Sequence, residues 1–318
     1  MFIIGAALLA VHDEAGPKSV QVRNGGLFAT LQVAHLDANG ALSLPNGTHH
    51  ILMEIGCSNR DTLDDEVLRW DEHAFLVSFE PLLDKYSELA ARGNERYNKG
   101  ARDMIVPLGH HHPRAIVLPL AVGERAGAPT FRVGHRAGCS SLLQLAHPAT
   151  GGWATWCKDM VEERTVPSIT LRSAIALSGD VMPIRLLKID AQGADLGIVR
   201  AAPKVALGRV QLLTMELQAD TPYCRDEGQI YSARETCQAA VAYMRTVGFR
   251  YVGYAAGRRR LVPPDARNAE NGSCPTHVHS ERKFGRMTVM CEIQAYFVNE
   301  EGQWPPLLAS AIVPYVVP

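Results

Sequence analysis

From about residue 50 onward the chain repeats one pattern: a short apolar run, a few turn residues, then an amphipathic stretch. The apolar runs are His50 to Ile55, Ala74 to Phe79, Ile116 to Val122, Ile184 to Ile189, Val210 to Leu217, Tyr251 to Tyr254 and Val289 to Val298. They are continuous rather than alternating and rich in β-branched and aliphatic side chains. A strand with one wet face alternates, so continuous runs predict strands covered on both faces. The expected fold is therefore α/β, a doubly wound, mostly parallel seven-stranded Rossmann-like sheet. Apolar residues three and four apart predict helices over residues 61–70, 82–92, 194–202 and 232–248. In the last of these Ala239, Ala240, Tyr243, Met244 and Val247 share a face, and Gly248 supplies the stop. Ahead of the sheet, residues 19–45 alternate around Gly25-Gly26 and Asn39-Gly40, which predicts a short β extension folded as a hairpin. Glycine, proline and charge dominate from Pro148 to Pro183 and from Gly257 to Arg286, the expected lid and substrate loops. The resulting division is an N-terminal extension over 1–45, one domain over 46–300 and a tail over 301–318.

Composition narrows the function. With 318 residues, 47% of them hydrophobic and 20% charged, the chain can bury one large core. Lys and Arg total 32 against 33 acidic residues, so no global field draws nucleic acid or an anionic membrane. Arg258, Arg259 and Arg260 form a basic run too short to serve as a polyanion footprint and read as a solvated loop. The partner to look for is a small molecule, with no nucleic acid and no stable membrane insertion. Oligomeric state is not legible. The apolar stretch Met1 to Val11 is too short to cross a bilayer as a helix. It lacks the leading basic residues of a secretory signal and reads equally as a signal core, a first strand or a buried helical turn. Cytoplasmic residence is the default. Seven cysteines, four of them Cys224, Cys237, Cys274 and Cys291, and the sequons at Asn46 and Asn271 keep disulfides and a lumenal location open.

Three segments carry candidate chemistry. In Ile51 to Asp61 a strand ends Glu54-Ile55-Gly56, and glycine at a strand tip lets backbone approach a ligand in the crevice beyond the sheet. The next glycine is Gly93, so the three-glycine loop that wraps a pyrophosphate is missing and a dinucleotide is disfavoured. S-adenosylmethionine has no phosphates, and one glycine plus a carboxylate for its amino group meets its needs; Glu54 and Gly56 are the candidates, with Ser58 in the same loop. Phe75 to Pro81 places Glu80 at the next strand tip, where a carboxylate can accept both ribose hydroxyls. Glu80 reads equally as a helix cap. Leu186 to Asp195 ends a third strand at Asp190, which would face the same crevice and hold or deprotonate an acceptor hydroxyl, or cap the next helix.

Glu54-Ile-Gly56, Phe79-Glu80-Pro81, Leu120-Ala121-Val122-Gly123, Ser140-Ser141-Leu142 and Leu187-Lys-Ile-Asp190-Ala-Gln192-Gly193-Ala-Asp195, in this order, resemble the FkbM-type methyltransferases over about residues 50–256. The resemblance implies a seven-stranded methyltransferase fold, S-adenosyl-L-methionine as cofactor, and methylation of an oxygen on a small-molecule or sugar-like acceptor. It implies cofactor positions at Glu54, Gly56 and Glu80, and places Ala121 and Val122 near the adenine. Asp190 and Gly193 match the late motif. Two departures stand out: Cys57, Ser58, Asn59 and Arg60 replace the usual Gly-Ala-Asn and second glycine, and Gln192 stands where a glutamate is common.

Other tempting residues have blander readings. His110, His111 and His112 are adjacent in a loop and cannot all face one ion. Cys274, His277, His279 and Cys291 do not match zinc spacings, and a disulfide or free thiols are preferred, so no metal is expected. Cys57 lacks the surroundings of a thiol nucleophile and reads as a loop filler. Glu216, an acid within an apolar strand, is a second candidate for substrate contact. Trp153 and Trp156 either close over an acceptor or pack. The catalytic set is thus Asp190, supported by Ser140 or Ser141 and by Glu216. The rival readings are a methyltransferase-fold binding protein without full activity and, further off, a nicotinamide-dependent oxidoreductase.

Overall fold

A computed structural model describes residues 18–24, 27–33, 35–58, 63, 71–90, 114–146, 157, 159–221, 224, 230–232, 236–255, 274, 279–283 and 286–300. The first strands, β1 (Lys18–Asn24) and β2 (Leu27–Val33), form the expected antiparallel hairpin. A second turn follows at Asn39-Gly40, where the Asp37 carboxylate accepts from Asn39 and Ala41 N–H groups at 2.8 and 2.9 Å.

The central sheet has seven strands: β3 (His50–Ile55), β4 (Ala74–Phe79), β5 (Ala115–Leu118), β10 (Ile184–Ile189), β11 (Val210–Gln218), β12 (Phe249–Ala255) and β15 (Glu292–Asn299). Their order is β12-β15-β11-β10-β3-β4-β5. β15 runs antiparallel to both neighbours, and the other six share one direction. The sheet is therefore mostly parallel and Rossmann-like. The chain moves outward from β3 through β4 to β5, then returns to β10 on the other side of β3. In such sheets that reversal of order opens a crevice at the strands' carboxyl ends.

Side chains alternate along each strand, and here both sets are buried. Ile51, Met53, Ile55, Phe75, Val77 and Phe79 join a large core with Leu187, Ile189 and residues of four helices: α2 (Leu171–Ala176), α3 (Asp195–Arg200), α4 (Lys204–Leu207) and α5 (Cys237–Thr246). Leu52, Ala74, Leu76, Ala115 and Val117 join a smaller one with Leu63 and with Leu89 of α1 (Leu83–Ala90). Each fully buried Leu or Phe contributes about 1.5–3 kcal/mol, so both faces hold the strands in register.

The structure departs from the sequence pattern in four places. The run Ile116 to Val122 is two strands: β5 joins the sheet, while β6 (Ala121–Gly123) pairs in parallel with β9 (Ser168–Thr170). Pro119, which has no N–H for the ladder, separates them, and Leu120 N–H closes a tight turn on Leu118 O at 2.8 Å. The run Val289 to Val298 also divides. β14 (Arg286–Met290) ends in a hairpin with β13 (His279–Lys283), and Cys291, tied to Cys224, precedes β15. The expected loop from 148 to 183 contains β8 (Met160–Thr165) antiparallel to β7 (Thr130–Gly134), then β9 and α2. The strand β8 is charged and largely exposed, which hid it; Thr170 starts α2 by accepting from Ser173 N–H at 3.2 Å. Two helices are shorter than their periodicity: α3 stops at Arg200, and α5 begins only after Thr236, whose hydroxyl accepts from Ala239 N–H at 3.3 Å.

Three disulfides, Cys139–Cys157, Cys224–Cys291 and Cys237–Cys274, tie these segments together. Among the described residues no helix is long and apolar enough to cross a membrane. Nearly all of the expected helix at 61–70, the apolar N-terminus, His110 to His112, Trp153, Trp156, Arg258 to Arg260, the Asn271 sequon, His277 and the tail after residue 300 lie outside the described residues.

Candidate functional site

The carboxyl ends of β3, β4 and β10 are stitched together by main-chain hydrogen bonds. Gly56 and Cys57 N–H groups donate to Phe79 O at 3.1 and 3.2 Å, and Asp190 N–H donates to Ile55 O at 2.9 Å. Glu80 N–H donates to Leu118 O at 3.1 Å, continuing the row to β5. A cleft of about 190 Å³ opens over these tips, lined by Gly56, Ser58, Glu80, Ala121, Val122 and Asp190 among others. Gly56, Ser58, Glu80, Ala121 and Val122, which the sequence proposes for the cofactor, thus share one cavity with Asp190.

Glu80 is 3% exposed, and its Oε1 accepts from Leu82 N–H at 3.0 Å, with a second main-chain donor at Ser58. Burial raises its carboxyl above the usual glutamate range, partly offset by the Lys85 ammonium and the two N–H donors. The carboxylate thus holds the main chain leading into the helix at Leu83–Ala90 and also walls the cleft. Ser58 itself is held at a positive φ of 52°, a conformation disfavoured for a residue with a Cβ. Gly56 also has a positive φ, 77°, and a Cβ there would overlap the Asp190 carbonyl oxygen. The close approach that demands glycine is made by the neighbouring strand tip, and the open side of Gly56 is left to the cleft.

Glu54 is placed differently from the expectation. It is wholly buried and does not line the cleft; its Oε2 accepts from Leu63 N–H and its Oε1 from Lys188 Nζ, each at 3.0 Å. By alternation it shares the Leu52 face of β3, the face that its register partner Lys188 also takes on β10. Lys188, two residues before Asp190 on β10, lines the cleft instead. Its signal in the sequence is a cation inside an apolar run.

The residues proposed for the acceptor converge on Gln192. Its Nε2 donates to Asp190 Oδ1 at 2.7 Å and to Glu216 Oε2 at 2.8 Å, which commits both amide protons. Its Oε1 accepts from Tyr231 OH at 2.9 Å, and its main-chain carbonyl accepts from Ser141 Oγ at 2.7 Å. Gln192 adopts φ 53°, and at Gly193 a Cβ would fall 2.7 Å from the Tyr231 ring. Asp190 and Ser140 line the cleft, whereas Ser141 and Glu216 reach it only through Gln192. Ser140 Oγ is engaged by Gly134 N–H at 3.1 Å. Behind them Asp195 is fully buried; its Oδ1 accepts from Glu216 N–H at 3.1 Å while its Oδ2 has no hydrogen-bond partner among the described residues. Burial and the nearby Asp190 charge raise the Asp195 carboxyl well above its ordinary range.

No thiolate metal site is left at Cys274 and Cys291, because both are in disulfides. Asp220, Cys237 and Cys274 lie close together, but the two sulfurs are bonded to each other. Cys57 is buried and outside any disulfide, and it packs in the smaller core as a loop filler. Tyr231 and the hub role of Gln192 are not legible in sequence, since their partners come from distant segments.

The cleft combines three kinds of surface. A buried acid at the β4 tip can accept ribose hydroxyls, Ala121 and Val122 offer an apolar wall, and Lys188 and Asp190 supply opposite charges at the far end. No curated protein matches this chain. Among solved structures, a Thermoplasma acidophilum protein to which methyltransferase activity has been ascribed aligns over 93% of this chain and 86% of its own, at 10% identity and a TM-score of 0.34. The model of the FkbM methyltransferase domain matches residues 47–251, nearly two thirds of the sequence, and this chain belongs to that family.

Proposed function

We propose that this chain is an S-adenosylmethionine-dependent methyltransferase that methylates an oxygen of a small-molecule or sugar-like acceptor, on a doubly wound domain spanning 46–300. The observation that carries the reading is the adjacency of two strand tips, Gly56 and the buried Glu80, over one cleft. When bound there, S-adenosylmethionine supplies an electrophilic methyl group. Glu80 accepts from the ribose hydroxyls, the backbone at Gly56 and Ser58 lies along the ligand, and Ala121 and Val122 wall the adenine. Asp190 orients the acceptor hydroxyl and takes its proton. Gln192 fixes the Asp190 carboxylate, and Glu216 and Ser141 act through Gln192 rather than on substrate. Rate comes chiefly from positioning and from keeping water out.

A second reading, a binding protein that keeps the fold without turnover, is favoured by one observation: Gln192 replaces the family's glutamate, and both its amide protons are committed. Calorimetry with S-adenosylmethionine and with NAD, followed by transfer of labelled methyl into mixed extracts, tests both. Binding of S-adenosylmethionine alone with label transfer supports the enzyme; binding without transfer supports the second reading. Replacing Asp190 by alanine should cut turnover and leave cofactor affinity nearly intact. Loss of both together would count against that division of roles.

The three disulfides, and an Asn46 exposed on its turn, support a lumenal or exported location over the cytoplasmic default.

A further inference from the structure

We propose that Lys188 receives the carboxylate of the methionine part of S-adenosylmethionine, and that Glu54 is the positioning residue that holds Lys188 there. This deepens the cofactor reading above and rests on it. The Lys188 side chain is 17% exposed and its ammonium is 3.0 Å from Glu54 Oε1, while Glu54 is wholly buried and spends its other oxygen on Leu63 N–H. A buried ion pair is costly to desolvate, and an apolar pair of similar volume commonly serves stability as well. What an apolar pair cannot do is present a fixed cation to a cavity. The acid here is sealed beneath the sheet's tip, and only the base reaches the cleft wall.

The ends of the cleft set the ligand's direction. Ala121, Val122 and Glu80 lie toward β4 and β6, the nucleoside end. Lys85, the other lysine lining the cleft, stands by Glu80, whose carboxyl its charge pulls down. The amino-acid end then falls at the switch point between β3 and β10. There Lys188, near the end of β10, and Asp190, just past it, both line the cleft, and Lys188 offers the positive group. The carboxylate of a bound amino acid needs a cation, and Lys188 supplies it at that end, which leaves Asp190 to the acceptor.

The test is calorimetry on the full chain with three probes: S-adenosylhomocysteine, its decarboxylated analogue, and 5′-methylthioadenosine, which lacks the amino-acid end. On the wild type, losing the carboxylate should weaken binding by roughly ten- to a hundredfold, the worth of a hydrogen bond to a charged group. The double variant Lys188→Met/Glu54→Gln, which leaves no orphan charge, should lower affinity for S-adenosylhomocysteine by a similar factor and leave that for methylthioadenosine alone. Lys188→Arg should keep the preference. Equal affinity of the wild type for the acid and its decarboxylated analogue, or a parallel loss of all probes in the double variant, overturns the inference while the cofactor reading stands. A wild type that binds none of the three overturns both.

Discussion

The Asp190 carbonyl occupies the space where any other residue at position 56 would carry its Cβ: the atom would overlap the carbonyl oxygen and lie 2.9 Å from the carbonyl carbon. One step below them in the sheet the side chains of Glu54 and Lys188 meet, from positions 134 residues apart. The floor of the cleft is thus a junction between two parallel strands that cannot be separated without opening the site.

Gly56→Ala is therefore expected to destabilise the protein by about 2–4 kcal/mol, the sum of a positive-φ penalty and overpacking against backbone. Urea unfolding should show the loss in midpoint, and calorimetry should show weakened cofactor binding as β3 and β10 part.

Glu80→Gln should weaken S-adenosylmethionine by roughly ten- to a hundredfold, because a charged acceptor becomes a neutral amide. The pH dependence follows from the raised carboxyl. Wild-type affinity should fall as pH drops through a value above the ordinary 4.5, where Glu80 takes up a proton, and the variant should lack that limb. Titration calorimetry across acid pH reads both.

Asp195 gives a stability test. Its folded carboxyl is raised well above 3.8, so between that pH and its folded value the native state holds a proton that the unfolded chain has lost. Stability contributed by this group must fall as pH rises through that window. Asp195→Asn removes the ionisable group, so at neutral pH it should be more stable than wild type, because the unfolded carboxyl ionises more readily than the buried one. Below pH 3.8 the two should converge. Thermal melts across pH that stay parallel would refute this account.

The Cys139–Cys157 bridge, 18 residues apart, packs with Ile230 and Tyr231, and its first cysteine lies between the cleft residues Gly138 and Ser140. Replacing both cysteines by serine should cost about 3 kcal/mol, as expected for a loop of this length. It should also weaken cofactor binding by loosening that wall and the Tyr231 contact to Gln192. Peptide mapping without reductant should find Cys57 alone outside a disulfide.

Much of the fold is legible in local sequence. Apolar runs locate β3, β4 and β10 to the residue: β3 and β4 are buried at every position, and β10 keeps its apolar character despite Arg185 and Lys188. Strand tips ending in Gly56, Glu80 and Asp190 announce a cleft, and the ordered motifs announce the family. The breaks at Pro119 and Cys291 escape the pattern because hydropathy does not register a missing N–H or a cross-link from residue 224.

Only the tertiary structure decided what each polar group does. Glu54 reads as a ligand residue in its motif, yet its carboxylate is spent on Leu63 N–H and on Lys188, and Lys188 is the member of that pair that lines the cleft. Gln192 reads as a lost carboxylate, yet contacts from Ser141, Glu216 and Tyr231, brought from three other segments, make it the joint that fixes Asp190. Periodicity along a chain records which side chains leave water. Which charge faces which partner is set by strand order and register, and those are fixed only when the whole sheet has closed.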